Sequence, residues 1–198
     1  QMLKNQINPH FLFNTLNMIA STAQIEDADT TEKMIHALSR LFRYNLKSTD
    51  SVMPLERELK VVQDYMYLQQ MRFGQRIRYD TDCKPDTMEV LVPSFALQPL
   101  VENAIIHGIS PKGQGGRIHV RSWMEGRRLW ISVADTGRGM AQERLEEIRL
   151  ALARGEEKAT GVGVGNIYRR VHGMYRDGEV FIYSSEGRGT VVQMAFTP

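Results

Sequence analysis

The run Gln6-Ile7-Asn8-Pro9-His10-Phe11-Leu12-Phe13-Asn14-Thr15-Leu16-Asn17 sets a proline and then a histidine inside a stretch with helical spacing. At about 100° per residue, Leu3, Ile7, His10, Phe11, Asn14 and Met18 share one face of a helix predicted from Met2 to about Gln24. Leu12, Leu16 and Ile19 fall on the opposite side. A helix that is apolar on two sides needs two partners. Ile25 to Thr30 carries Glu26, Asp27 and Asp29 and reads as a turn, with an N-cap at Asp29, Thr30 or Thr31. A second helix follows, with Met34, Ile35, Leu38, Leu41, Phe42 and Leu46 at helical spacing. Two helices joined by a short turn form an antiparallel hairpin. One hairpin cannot bury both faces, so the economical assembly is a hairpin dimer in a four-helix bundle.

Within that first helix, Pro9 removes a backbone donor and kinks the chain immediately before His10. A neutral imidazole is a competent nucleophile near neutral pH. Asn14 lies four residues on and shares the face, so its amide reaches the same space. Taken alone, the run also suits a buried core histidine beside a structural proline.

Outward from the hairpin, Ser48 to Pro54 reads as a linker and Leu55 to Phe73 as a third helix. After Gly74 the period changes. Arg76 to Asp82 alternates like a strand, and Glu89 to Val92 is a second short candidate. Ser94 to His107 reads as helix, with Ser94 as N-cap and Gly108 just past its end. Arg117 to Met124 and Arg128 to Ala134 form a hairpin around Glu125-Gly126-Arg127. Gln142 to Ala153 and Ile167 to Tyr175 are helices, separated by a glycine-rich charged stretch. Val180 to Ser184 and Thr190 to Phe196 are strands. This second part is α+β, a mixed sheet with helices on one face.

Three clusters in that part carry chemistry. In Leu97-Gln98-Pro99-Leu100-Val101-Glu102-Asn103-Ala104-Ile105-Ile106-His107-Gly108, Asn103 and His107 stand one turn apart on one side. A carboxamide oxygen suits Mg²⁺, which takes oxygen ligands and keeps waters and substrate phosphates. The same pattern also suits a polar cap on an amphipathic helix. In Asp135-Thr136-Gly137-Arg138-Gly139-Met140, a carboxylate at a strand end can accept from an exocyclic amine such as that of adenine. Its glycines let the backbone pass close to a flat ring; a plain turn with a capping Asp has the same sequence. In Gly161-Val162-Gly163-Val164-Gly165-Asn166, glycines before a helix expose N–H groups for a phosphate. That run lacks the Gly-Lys-Ser/Thr of a Walker loop, and a flexible linker is its plain alternative.

Composition excludes several classes. The 198 residues suffice for a real core. With 42% apolar and 24% charged residues the chain is neither disordered nor a membrane bundle. A formal charge of +2 without a basic stripe argues against nucleic-acid binding. The single Cys83 forms neither an internal disulfide nor a Cys-based zinc cage and points to a reducing compartment. Opening inside a helical pattern without a cap, the chain reads as a piece of a longer one.

In order and context these clusters resemble the LytS/YesM-like class of sensor histidine kinases. Gln6 to Asn17 resembles that class's phosphoacceptor segment, and Leu97 to Gly108 its N box. Asp135 to Gly139 and Gly161 to Asn166 resemble its two glycine boxes. Glu186-Gly187-Arg188-Gly189-Thr190-Val191 resembles the closing Gly-Thr element. Pro54 to Leu59, with Tyr65 to Phe73, resembles the joining helix. The resemblance implies a dimerisation and phosphotransfer hairpin over 1–50, a linker and joining helix over 51–75, and a Bergerat-type (GHKL) α/β sandwich binding ATP over 76–198. It implies that His10, beside Asn14, takes the γ-phosphoryl group of ATP, with Glu102 a candidate general base. Asn103 would hold Mg²⁺ and Asp135 would read adenine. His107, Gly137, Gly139, Gly161, Gly163, Gly165, Asn166 and Thr190 would complete the nucleotide site. The implied partners are a second copy in a homodimer and the receiver domain of a response regulator. The implied location is the cytoplasmic portion of a bacterial cell-membrane sensor, anchored only through an N-terminal region outside this sequence.

Two departures matter. Ile106 stands where the N box often has lysine, so a missing cation would come from Arg138, Arg169 or Arg170. GHKL ATPases that activate water carry a carboxylate one turn before the N-box asparagine; here that position is Pro99. A hydrolytic clamp and an inactive ATP-binding dimerisation module are the two competing readings.

Overall fold

The computed structural model describes residues 9–47, 51–155 and 162–198. Helix α1 (Pro9–Ile25) and helix α2 (Asp29–Lys47) form the expected hairpin. The part of the first predicted helix before Pro9, with Leu3 and Ile7, lies outside the described residues. The hairpin buries Leu16, Ala20 and Ala23 of α1 and Ala37 of α2. Leu41 and Tyr44 of α2 turn instead toward the next helix and cluster with Met53 and Val61. On the far side of α1, Phe11 is 68%, Met18 63% and Ile25 83% exposed. These are seven residues apart, two helical turns, so they form one uncovered stripe. Ile19, expected on the side of Leu16, is also exposed. One neighbouring helix covers only a narrow sector of α1, and that sector is lined mainly by alanines.

The linker expectation over 48–54 is corrected in its second half. Val52–Pro54 is a short strand, β1, and a later strand β3 (Leu91–Pro93) pairs with it antiparallel. Helix α3 (Leu55–Phe73) follows with the predicted bounds. Its buried side, Leu55, Leu59, Val62 and Met66, joins the main core.

That core lies under a mixed five-stranded sheet in the order β2-β4-β5-β7-β6. The strands are β2 (Ile77–Cys83), β4 (Gly116–Glu125), β5 (Arg128–Asp135), β6 (Glu179–Ser185) and β7 (Gly189–Phe196). Only β2 and β4 run parallel; the other neighbours are antiparallel. Alternation sends Ile118, Val120, Leu129, Ile131, Val133, Val192, Met194 and Phe196 to one face, under the helices. On the other face Trp123 of β4, Trp130 of β5 and Phe181 of β6 stack at 5.9 Å centroid spacing, the last pair reaching over β7. The α+β expectation, with helices on one face, therefore stands.

The helix predicted from Ser94 to His107 begins later and ends differently. Helix α4 spans Gln98–Asn103, and the chain continues as a wider π-helical turn over Ala104–Ile109. Gly108 lies inside that turn rather than past it. Ser94 is no cap: it is buried, and Leu97 precedes the first turn without any side-chain cap. The reason is a residue far away in sequence. The buried Glu58 carboxylate of α3 accepts the N–H groups of Phe95 at 2.9 Å and Leu97 at 3.0 Å. Phe95 turns the chain there with φ of 58°. A remote carboxylate thus satisfies donors next to a helix start that the local sequence leaves orphaned.

Helix α5 (Gln142–Ala153) matches its expectation, whereas helix α6 (Val162–Met174) starts five residues earlier than Ile167. Glycine costs a helix up to about 1 kcal/mol per residue. Here close packing of Gly163 against α4 offsets that cost, because tertiary contact outweighs propensity.

Candidate active site

A cleft of about 300 Å³ opens between α4, its π-helical continuation, α5, α6 and the ends of β5 and β7. It gathers Asn103, His107, Asp135, Gly139 and Thr190 from the predicted set. Leu100, Ala104, Val133, Ile148, Val164, Ile182 and Val192 make its floor and walls apolar. A concave apolar pocket with a few convergent polar groups is the usual form of a small-molecule site.

Asp135 ends β5 and sits in this cleft beside Thr190, its cross-strand partner on β7. Burial pushes its carboxyl above the ordinary carboxylate range. The backbone N–H groups of Gly137 and Thr190, and the charge of Lys112, act in the opposite direction. The Gly137 contact is 2.7 Å to Oδ1. A carboxylate held this way keeps oxygen capacity for an incoming donor.

Gly137 packs against backbone. A Cβ placed on Gly137 would lie 2.3 Å from the backbone carbon of Gly108. A Cβ on Gly108 would in turn meet Asp135 Oδ1 at 2.8 Å. The Arg138 N–H also donates to the Gly108 carbonyl at 2.9 Å. Two glycine backbones therefore clip the end of the π-helical turn to the loop after β5, and this contact sets where Asp135 stands. Sequence reading placed Gly108 only as a helix stop and missed this role; its position directly after His107 was the available signal.

The remaining predicted residues distribute unevenly. Gly163 packs so closely on α4 that a Cβ there would meet Asn103 Nδ2 at 2.5 Å and the Pro99 carbonyl oxygen at 3.1 Å. Gly165 and Asn166 lie in α6 but do not line the cleft, and Asn166 Oδ1 accepts from Arg169 at 2.5 Å. Gly161 lies outside the described residues. Glu102 is turned out of the cleft, where its carboxylate accepts from Gln98 Nε2 at 2.8 Å. It also helps burial push the Tyr65 hydroxyl up to about 12. His10 stands exposed on α1, away from the cleft lining, with the Asn14 amide 3.3 Å from Nδ1 and 3.4 Å from Nε2. Donation from the amide requires a ring nitrogen with a free lone pair, the form that can attack an electrophile.

A family model described as "Histidine kinase" matches residues 1–77, and one described as "Histidine kinase-, DNA gyrase B-, and HSP90-like ATPase" matches residues 93–198. The chain belongs to the sensor histidine kinase family. It is 36% identical over 179 residues to sensor histidine kinase YpdA of Escherichia coli, covering 89% of this chain and 30% of that protein. It is 34% identical over 191 residues to sensor protein LytS of Staphylococcus saprophyticus, covering 96% of this chain and 32% of LytS. The chain thus spans about a third of the length of these relatives. Among solved structures it resembles the histidine kinase domain of the Erythrobacter litoralis blue-light activated kinase EL346. The TM-score is 0.53 at 19% identity, covering 98% of this chain and 87% of that one. It resembles full-length ShkA, solved with AMPPNP, with a TM-score of 0.53 at 18% identity over 96% of this chain and 44% of that one. At these identities the likeness concerns the fold.

Ile106 is exposed and does not line the cleft, whereas two arginines do. Arg138 and Arg144 both line the cleft, and Arg144 also pairs with Glu147 at 2.8 Å. Arg170 is used elsewhere, donating to the Ser94 carbonyl, and Arg169 binds Asn166. Arg144 had no signal in the sequence, since it lies on the polar side of an ordinary amphipathic helix. Among the described residues, no group of three or more His, Cys, Asp or Glu stands together to hold a metal. The carboxamide oxygen of Asn103 in the cleft is the kind of single donor Mg²⁺ accepts when phosphates and water fill the rest of its shell.

The Asn103–Gly163 contact gives a direct test. Gly163→Ala is expected to displace the Asn103 amide and weaken Mg²⁺-dependent nucleotide binding about tenfold, near the upper range for one polar contact. Nucleotide binding without Mg²⁺ should change far less; titration of a fluorescent adenine nucleotide with and without Mg²⁺ measures both.

Proposed function

We propose that this chain transfers the γ-phosphoryl group of ATP to His10 and then to an aspartate of a response regulator, as part of a two-component system. Residues 1–50 act as the dimerising phosphotransfer hairpin, 51–75 as linker and joining helix, and 76–198 as the ATP-binding domain. What carries the reading is one cleft that gathers Asn103, His107, Asp135 and Thr190, while an exposed histidine stands on a separate helix.

Asp135 accepts the exocyclic amine of adenine, and the apolar floor receives the base. His107, Arg138 and Arg144 face the phosphates. Asn103 is the side chain that would hold Mg²⁺, which supplies charge neutralisation there. Phosphoryl transfer depends mainly on such positioning and neutralisation. A ring-nitrogen lone pair of His10 then forms the N–P bond as the bond from γ-phosphorus to the bridging oxygen breaks. ADP leaves, and the imidazole sheds the proton of its other nitrogen. Water is not the favoured acceptor, because Pro99 stands where hydrolytic relatives carry a carboxylate. The uncovered stripe Phe11, Met18 and Ile25 is the surface for a second hairpin. Among the described residues no helix is long and apolar enough to cross a membrane.

Incubation of the chain with γ-labelled ATP and Mg²⁺ tests the reading. Acid-labile, alkali-stable label on the protein is expected. Rapid release of labelled phosphate with none on the chain would favour the hydrolytic clamp; bound nucleotide without label or release would favour an inactive module.

A further inference from the structure

We propose that Tyr44 and Glu58 are positioning residues for phosphoryl transfer, fastening the hairpin that carries His10 to the first turn of the helix that carries Asn103. This rests on the function proposed above. The Tyr44 hydroxyl donates to Glu58 Oε1, and Phe95 N–H donates to Tyr44 Oη at 2.7 Å and to Glu58 Oε1 at 2.9 Å. Leu97 N–H donates to the other carboxylate oxygen at 3.0 Å. The Tyr44 ring packs on Phe95 with centroids 4.5 Å apart. Arg170 of α6 completes the knot: it lies over the Phe95 ring at 5.7 Å and donates to the Ser94 carbonyl. The same helix α6 carries Gly163 against Asn103. Three elements thus meet at one buried carboxylate, α6 joins them through Phe95 and Ser94, and two of the four lead directly to the nucleotide cleft.

Two features set this knot apart from ordinary packing. Glu58 is fully buried, and burial pushes its carboxyl above the ordinary range. A buried charged group is a poor device for stability alone, since apolar replacements often do as well. Phe95 holds a left-handed backbone that bulky residues avoid. Strain of that kind persists where surrounding contacts over-determine it, and here the contacts are Tyr44 and Glu58. The other side-chain hydrogen-bonded link from α2 to α3 among the described residues, the bidentate Arg40–Asp64 pair at 2.7 Å, ends at α3 and does not reach the cleft, and neither does the packing of Leu41 on Val61. A rotation of the hairpin therefore reaches α4 through Tyr44.

The test uses the whole chain with Cys83→Ser and spin labels on Lys33→Cys in α2 and Arg127→Cys in the β4–β5 turn. Diluted with excess unlabelled chain so that each dimer carries one labelled copy, the parent should give one narrow interlabel distance, and Tyr44→Phe a broad one. Tyr44→Phe should also slow His10 labelling about ten- to a hundredfold, the cost of misplacing a reacting group. Affinity for a fluorescent adenine nucleotide should stay within about twofold, since the cleft itself is untouched. Glu58→Gln, which keeps an acceptor oxygen, should retain more transfer than Glu58→Ala. The proposal is overturned if Tyr44→Phe keeps the narrow distance, or if nucleotide affinity falls in parallel with transfer. If the parent chain takes up no label, the proposed function fails, while the distance measurement still decides the fastening. Tyr44→Phe removes one hydroxyl only, so the test survives even if Glu58→Ala does not fold.

Discussion

Replacing His10 with glutamine is expected to remove protein-bound phosphate altogether while leaving nucleotide binding intact. The two effects separate because His10 and the cleft belong to different elements: α1 carries His10, and α4 to α6 with β5 and β7 supply the cleft. Glutamine matches the imidazole roughly in size and polarity but has no nucleophilic ring nitrogen, so the covalent step has no acceptor. The residue is exposed and caps no core cluster, so folding should not suffer. Label transfer beside a nucleotide titration measures both effects. Persistent label would place the acceptor on another histidine, of which the chain has His36, His107, His119 and His172.

The second large effect belongs to Asp135→Asn, which should weaken adenine-nucleotide binding about ten- to a hundredfold. A hydrogen bond to a charged acceptor contributes about 1.5–3 kcal/mol, and each 1.4 kcal/mol is about tenfold. Burial holds the Asp135 carboxyl above the ordinary range, so the sign of its pH dependence is fixed. Binding to the carboxylate is full above the raised value and weakens as pH falls through it, sooner than for an exposed aspartate. The asparagine variant should lose that dependence. Stability runs the other way. A carboxyl whose folded pKa exceeds its unfolded one favours the folded state at low pH, and ionisation of the folded form removes that advantage. At neutral pH the variant should therefore melt no lower than the parent. Calorimetric titration across pH, beside thermal melts, separates lost recognition from lost folding; a variant that binds normally at pH 7 would exclude Asp135 from the adenine contact.

Much of this fold is legible in local pattern. The bounds of α3 and α5, the β4–β5 hairpin and the mixed sheet follow from periodicity and glycine punctuation, because each is decided by residues near in sequence. The misreadings share a cause. The start of α4 depends on Glu58, which lies 39 residues before Leu97. The early start of α6 depends on Gly163 packing directly against Asn103 of α4. β1 exists only because Leu91–Pro93 comes alongside it. In each case a distant partner overrides the local signal. The site shows the same division: Asn103, His107, Asp135 and Thr190 are visible as motif residues, whereas Arg144 and the clip at Gly108 emerge only from the packing.

The glycine-on-glycine contact between positions 108 and 137 has a consequence for how this protein can change. Most close contacts tolerate a larger side chain on one partner if the other shrinks. Here both partners are already the smallest residue available. A methyl group at Gly137 meets backbone, and one at Gly108 meets the carboxylate that serves the site. No second substitution at either position can make room. Gly137→Ala is expected to weaken nucleotide binding by displacing this clip, and a suppressor screen on it should yield true revertants and essentially no compensating partner at position 108, so the two positions are held together without ever being seen to vary together.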